Sequence, residues 1–366
     1  MDILKTAPAV FAIRDTYQIM VPVTCDTLMW IRVGEDEYYD HSNGIIRSAV
    51  TIHRITVPMD KLDNAKKYTV CWRKIVERKP YFSITEDVCE KEFAFRPVIS
   101  DDLHIFHVSD THNMVKQPIA AAKTYEEKVG KIDVLIMNGD LPDHSGKIEN
   151  FDAIYQMASG ITGGEIPIIF SRGNHDMRGI YAENIAEYTP TDRGNSYFTF
   201  RLGNIWGMVL DTGEDKVDDH EEYGHTVCCT QFRREETDFI KNIIKNADSE
   251  YLAPGIKKRI IISHNPFTYQ LQPPFNIEEK LYAQWALMIK ESVKPDLMIC
   301  GHLHRLFVSM PESEHDYLGQ PCPLLVASTP DFGKKTHTDS GVHFTETGME
   351  ITFTDSLGNV VMTENI

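Results

Sequence analysis

Several things are missing from this chain, and each absence excludes something. There is no disulfide framework: Cys25, Cys71, Cys89, Cys228, Cys229, Cys300 and Cys322 form an odd, irregularly spaced set. Cys300 lies in an apolar run and reads as a small core residue, and Cys228-Cys229 reads as two free thiols in a loop. No uninterrupted apolar stretch approaches membrane-spanning length, so no spanning helix is expected. No basic segment precedes an extended apolar run after Met1-Asp2-Ile3, so no signal peptide is expected and the expected location is cytoplasmic. Basic residues are in deficit, 37 Lys and Arg against 54 Asp and Glu, for a formal net charge of -17. That balance argues against a protein that coats nucleic acid. It leaves a phosphorylated substrate open, because bound cations can supply local positive charge. There is no internal repeat and no low-complexity tract. What remains is an ordinary globular composition, 42% hydrophobic and 25% charged, over 366 residues, enough for two domains and a sizeable core.

Residues 1–99 read as β. Tyr17–Val23, Thr27–Val33, Val50–Val57, Lys67–Lys74 and Phe93–Val98 are strand-like runs, separated by turn signals at Gly34-Glu35-Asp36 and Ser42-Asn43-Gly44. Five to seven short strands in this length suit an immunoglobulin-like sandwich. Leu62-Asp63-Asn64-Ala65-Lys66-Lys67-Tyr68 resembles the tyrosine corner of fibronectin-type domains. Arg96-Pro97-Val98-Ile99-Ser100-Asp101 is a short linker, so the expected division is 1–99 and 100–366, with the two parts packed together. Beyond it, Ile119–Val129, Glu149–Ala158, Glu235–Ile244 and Glu278–Val293 carry apolar residues near the helical period. Gly203-Asn204 marks a hairpin and Asp355–Asn359 a late turn.

The second part also carries five clusters of metal-binding residue types. They are Asp110-Thr111-His112, Gly139-Asp140, Gly173-Asn174-His175-Asp176, Ser263-His264-Asn265 and Gly301-His302-Leu303-His304. Each follows a short run of Ile, Val and Leu that reads as a buried parallel strand: Leu103–Val108, Val134–Asn138, Ile166–Phe170, Arg259–Ile262 and Leu297–Cys300. Sites in open α/β sheets lie beyond the carboxyl ends of the strands. The reading is therefore five strands delivering ligands to one edge of one sheet. Asp110, His112, Asp140, Asn174, His264, His302 and His304 offer oxygen and imidazole without thiolate, which suits Mn, Fe, Zn or Co. Seven ligands are too many for one tetrahedral site and about right for two open sites sharing a carboxylate.

This ordered set resembles the calcineurin-like metallophosphoesterase superfamily over about residues 100–330. The resemblance implies an α/β (α+β) fold, a four-layer αββα sandwich, here preceded by the immunoglobulin/fibronectin-III-like domain. It implies two divalent or trivalent metal ions and hydrolysis of phosphate esters by metal-activated hydroxide on a small phosphorylated substrate. Carried over by position, one metal takes Asp110, His112, Asp140 and His304. The other takes Asp140, Asn174, His264 and His302, with Asp140 as bridge. A β-sandwich followed by this catalytic unit is similar to purple acid phosphatases. Position 143, however, is Asp where those enzymes place a metal-binding tyrosine, and His112 also departs from their pattern. A ferric, coloured centre is not implied.

The same resemblance makes His175 the acid or leaving-group stabiliser. Asp143 would orient it, as in Ser/Thr phosphoprotein phosphatases, and Asp176 belongs with them among the catalytic residues. Arg178 has two readings, a substrate-anion contact or a salt-bridge residue. His144 and the acidic loop Asp215–His225 either shape the mouth of the site, with His144 touching substrate, or form a solvated charge run. Asn265–Phe275, rich in proline and aromatics, is either a stiff substrate wall or a packed loop. Phosphomonoesterase and phosphodiesterase activities both fit. The rival is a non-catalytic metal-binding or interaction scaffold of the same fold.

Overall fold

The computed structural model describes residues 3–345 and 348–366. Two sheets lie at its centre. The first has ten strands. Its main order is Val360–Asn365, Met349–Asp355, Thr336–Phe344, Leu103–Val108, Val134–Asn138, Ile168–Ser171, Ala9–Ile13, Thr16–Pro22 and Ile52–Pro58. The second has six: Phe198–Leu202, Ile205–Leu210, Lys258–Ser263, Leu297–Cys300, Leu324–Val326 and Phe307–Ser309.

Strand alternation explains the layering. Ile105, Val134 and Ile136 point into the core shared with Val209, Ile260, Ile262 and Ile299 of the second sheet. Their neighbours Phe106, Leu135 and Met137 point the other way, against Ala121, Tyr125, Ile154 and Ala158. Those last four lie on the helices Lys116–Lys128 and Asp152–Thr162. On the far side, Met208, Ile261 and Met298 pack against Ile240, Trp285 and Ile289. Ile240 and Trp285 belong to the helices Cys229–Lys245 and Glu279–Met288, and Ile289 opens the π turn that follows. Helix, sheet, sheet and helix make the four-layer αββα sandwich.

The N-terminal strands form a second sandwich that merges with the first. Ala9–Ile13 pairs parallel with Ile168–Ser171 at Phe11 and Ile168. Ala9–Ile13, Thr16–Pro22 and Ile52–Pro58 therefore extend the first sheet across the 99/100 division. Their partner sheet is Cys89–Ala94, Lys67–Arg78, Thr27–Val33 and Asp36–Tyr39, with Ser83–Thr85 against Lys67–Arg78. Val10, Ile19, Ile31 and Val70 fill the space between them and are continuous with the core between the two central sheets. The tyrosine-corner likeness does not survive as a local contact. The Tyr68 hydroxyl donates to the Gly164 carbonyl at 2.8 Å, on the far side of the linker. Tyr17, not Tyr68, reaches the Leu62 region, donating to Asp63 at 2.8 Å. The linker is pinned by Arg96, whose backbone N–H donates to the Glu165 carbonyl at 2.7 Å and whose guanidinium pairs with Asp133.

Candidate metal centre

The ligand-bearing loops leave two sheets, not one. Asp110, His112, Asp140 and Asn174 follow Leu103–Val108, Val134–Asn138 and Ile168–Ser171, adjacent parallel strands of the first sheet. His264, His302 and His304 follow Lys258–Ser263 and Leu297–Cys300, adjacent parallel strands of the second. Periodicity identifies strands but does not say which sheet each one joins. The face-to-face sandwich brings the two sets of strand ends together.

The backbone at these loops is unusual. Asp110, His112, Asp140, His302 and His304 all have positive φ, between 43° and 68°. For residues with a Cβ this region costs about 1 kcal/mol or more each. Five such residues converging on one spot mark loops shaped for a site. Two glycines are also obligatory there. A Cβ on Gly301 would lie 2.0 Å from Ser109 Oγ, and one on Gly139, at φ +78°, would lie 2.6 Å from the Gly173 backbone and from His264 Nδ1.

The seven side chains meet in two overlapping groups. In one, Asp110, His112 and His304 bring ligand atoms within 4.8 Å of one another. His304 Nε2 is 3.4 Å from Asp110 Oδ1, and the Nε2 atoms of His112 and His304 stand 3.3 Å apart. In the other, Asp140, His264 and His302 do the same, and His302 Nδ1 lies 3.1 Å from Asn174 Oδ1. Asp140 adjoins both, since it also groups with His112 and His175.

The electrostatics fit cations. His264 donates Nδ1–H to the Asn138 carbonyl at 2.7 Å, which turns Nε2 inward. That Nε2 is 3.2 Å from Asp140 Oδ2 and 3.8 Å from Asp110 Oδ1. It is buried, and it has no aligned hydrogen-bond partner among the described residues. Burial opposes charge on His264, yet Asp140 and Asp110 hold the imidazole up at about 10. Burial also works against ionisation of Asp140, and His264 outweighs it, holding the carboxyl below its usual range. Burial pushes His302 down to about 4, with His264 adding to the effect. A positive centre is thus already demanded between the carboxylates, and the donor set suits a hard or borderline metal.

The remaining expected residues are placed differently. His175 Nδ1 meets the main-chain carbonyl of Asp143 at 2.9 Å. The Asp143 carboxylate does not reach it, and Oδ1 instead lies 3.6 Å from His112 Nδ1. The expected Asp143–His175 carboxylate pair is therefore corrected: the loop after Asn138 presents its backbone to His175. Arg178 grips Glu214 through two 2.9 Å bonds, lies 3.6 Å from Asp215 and from Glu222, and places Nη1 3.3 Å from His175 Nε2. Its charge is already matched by carboxylates. Asp176 is not at the surface of the site. It is wholly buried, and Oδ2 accepts from the N–H groups of Gly173 at 2.6 Å and Asp140 at 3.2 Å. Burial, with Asp140 nearby, pushes its carboxyl up to about 7. It is a positioning residue that ties two ligand loops together. His144 Nδ1 accepts from Gly146 N–H at 2.9 Å, closing its own loop.

Two segments with alternative readings take definite places, and one further feature has no local sequence signal. The start of the acidic loop is not a solvated run: Glu214, Asp215 and Lys216 are buried. Asp215 Oδ2 lies 3.9 Å from His302 Nε2, and Oδ1 accepts from Tyr223 Oη at 2.8 Å. This loop follows Ile205–Leu210, which pairs parallel with Lys258–Ser263, so it is a sixth strand exit of the kind that carries the ligands. That placement was the available signal. Ser328, Asp339 and His337 form a buried chain beneath Asp110, with bonds of 2.8 and 3.0 Å and His337 Nε2 3.4 Å from the Asp110 carbonyl. No local pattern announces it. In the Asn265–Phe275 segment Phe267 packs on Trp285, while Tyr269 and Phe275 line a pocket with His302 and Asp215.

Residues 103–306 match the family model described as calcineurin-like phosphoesterase. No curated protein matches significantly. A purple acid phosphatase isolated from yellow lupin (Lupinus luteus) seeds aligns with 100% of this chain and 75% of its own, at 14% identity and a TM-score of 0.60. At that identity the likeness concerns the fold, and it includes the N-terminal β region. A predicted phosphoesterase from Streptococcus pneumoniae TIGR4 covers 72% of this chain and 97% of its own, at 11% identity and a TM-score of 0.34. Vps29 from Entamoeba histolytica, complexed with zinc, covers 72% and 98%, at 10% identity and a TM-score of 0.31.

Proposed function

The chain belongs to the calcineurin-like phosphoesterase family, and from that premise we propose that it is a two-metal hydrolase of small phosphate esters. The observation that carries this reading is the buried Nε2 of His264, without an aligned hydrogen bond among the described residues and set between Asp140 and Asp110, with five of the expected ligands held in left-handed backbone. Asp110, His112, Asp140 and His304 would hold one ion, and Asp140, Asn174, His264 and His302 the other. When bound, two such ions neutralise phosphate oxygens and make hydroxide available near neutral pH.

The protein's own residues supply the rest. His175 stands beside His112 with ring centroids 4.7 Å apart. Its Nδ1 faces a carbonyl, which can only accept, so Nδ1 carries a proton. Nε2 is then the atom that would deliver or stabilise a proton at the leaving oxygen. Arg178 sits on that same Nε2, held from behind by Glu214. In this arrangement it keeps the ring aimed and gives way when Nε2 takes a proton. Asp176 and Ser109 fix the loops: Ser109 Oγ donates to Asp110 Oδ2 at 2.7 Å.

Monoesters and diesters both fit. The test is hydrolysis of p-nitrophenyl phosphate and of its bis-ester by manganese-loaded protein. Turnover of either, abolished by chelation and restored by metal, is the expected result. A metal-loaded protein that turns over neither, nor any member of a phosphoester panel, would be the scaffold instead.

A further inference from the structure

The geometry points to a third cation site, formed by Asp102, His104 and His343 and suited to a borderline divalent ion such as zinc. His104 and His343 are register partners on the antiparallel strands Leu103–Val108 and Thr336–Phe344. Their rings stack with centroids 4.0 Å apart and planes inclined by 9°. Asp102, one residue before the strand, sets its carboxylate against His343 Nε2. The ligand atoms of the three lie within 4.8 Å of one another. Ligands of a tetrahedral zinc stand about 3.3 Å apart, given bonds of about 2.0–2.1 Å, and an imidazole binds in its own plane, so His343 has to turn out of the stack to share an ion with His104. Asp102 is free to follow it, with 76% of its side chain exposed.

The His104 ring is prepared for a ligand role. Its Nδ1 lies 2.9 Å from Tyr125 Oη. With Nδ1–H donated there, the lone pair of Nε2 is left for an ion, the arrangement in which an outer partner fixes the tautomer of a ligating histidine. The ring is also wedged in place, because a Cβ on Gly130 would come within 2.4 Å of His104 Cε1. Glu350, the register partner of His343 on the next strand, is a further carboxylate in the same row. Two imidazoles and a carboxylate with open positions suit Zn, Co or Ni better than Mg or Ca.

The site is separate from the candidate metal centre. His104 opens the strand and Asp110 follows its far end, six residues on, or about 20 Å at the rise of an extended chain. The location suggests its use. Asp101 is bound by Lys257 and Asn204 of the second sheet's connections. An ion on Asp102 would fasten the next residue to the first sheet, clamping the chain where it enters the family region.

The full-length protein should be dialysed to equilibrium against micromolar free zinc, as wild type and as His343→Gln. Bound zinc is then measured per chain. The expected result is one equivalent fewer in the variant, with p-nitrophenyl phosphate hydrolysis unchanged and a smaller rise of Tm on adding zinc. Equal zinc content would overturn the proposal, leaving a plain histidine–aspartate hydrogen bond. Should His343→Gln not fold, the exposed Asp102→Asn gives the same comparison. The difference between proteins is the readout, so it holds whatever the candidate centre itself retains.

Discussion

His175 is held by the main chain of Asp143, while the Asp143 carboxylate turns to His112: 2.9 Å separates His175 Nδ1 from the carbonyl oxygen, and 3.6 Å separates Oδ1 from His112 Nδ1. Substitution at 143 should therefore be felt at the metal and not at the acid. Asp143→Asn is expected to weaken metal binding on the order of 10-fold, as for a lost outer partner of a ligating histidine. Turnover at saturating metal should be nearly normal. A large loss of kcat with unchanged metal affinity would show that the carboxylate acts on His175 after all.

Asp140 and His175 should separate cleanly. Asp140 adjoins both ligand groups, whereas His175 Nδ1 is committed to a carbonyl. Asp140→Asn should lose metal and activity together. His175→Ala should keep its metal and lose about 10²–10⁴-fold in kcat, the range of a missing general acid. Elemental analysis beside kinetics decides it, and matching metal loss in both variants would place His175 among the ligands.

Arg178 matters for its fork. Nε and Nη2 bind Glu214 while Nη1 reaches His175. Lysine keeps the charge but cannot make both contacts. Arg178→Lys should lower kcat by about 10-fold with KM and metal content little changed, because no free charge is removed from the substrate. A KM effect alone would instead make Arg178 a substrate contact.

Glu236 gives a pH signature of folding. It is wholly buried, its Oε1 accepts from Asp211 N–H at 2.7 Å, and Oε2 has no partner among the described residues. Burial, reinforced by Asp211, raises its carboxyl well above 4.5. A raised folded value means that the native state binds the proton more tightly. Its stabilising effect is complete below about pH 4.5 and fades as pH rises through the folded value. Glu236→Gln keeps the acceptor and removes that dependence. Urea midpoints across pH should show the variant gaining on wild type as pH rises above about 4.5. A constant difference between the two proteins would contradict the assignment.

Iron loading should not produce a strong visible charge-transfer band. Position 143 is aspartate, and the hydroxyl of Tyr223 is committed to Asp215. An absorption spectrum of iron-loaded protein checks this, and an intense band would mean that a phenolate reaches the metal.

The strands that precede the expected ligands were legible because buried parallel strands are continuous apolar runs. Helix positions followed from their apolar period, although Lys116–Lys128 begins before Ile119 and stops short of Val129, Cys229–Lys245 begins before Glu235, and Asp152–Thr162 is displaced a few residues beyond the expected Glu149–Ala158. Sheet membership was not legible, since Ile260 and Ile105 look alike in sequence and differ only in which sheet they join. Ala9–Ile13 gives no strand signal, because five apolar residues in a row after Pro8 carry no period. Side-chain direction was the other gap. Spacing placed Asp143 on the right loop, but which of its oxygens faces His175 depends on the turn at positive φ that begins at Asp140.

The sheet that runs through the 99/100 division also bears on how the chain can be cut. Ala9–Ile13 covers Ile168–Ser171, the strand that leads to Asn174. A fragment starting near residue 100 would present that strand as a bare, apolar, parallel edge, with Phe11 no longer seated on Phe170. Open edges of this kind recruit other chains. The region that matches the family is thus not a self-contained unit with an optional attachment. Its last ligand-bearing strand on that side has its neighbour supplied by the first residues of the chain, and solubility and site geometry would be lost by the same cut.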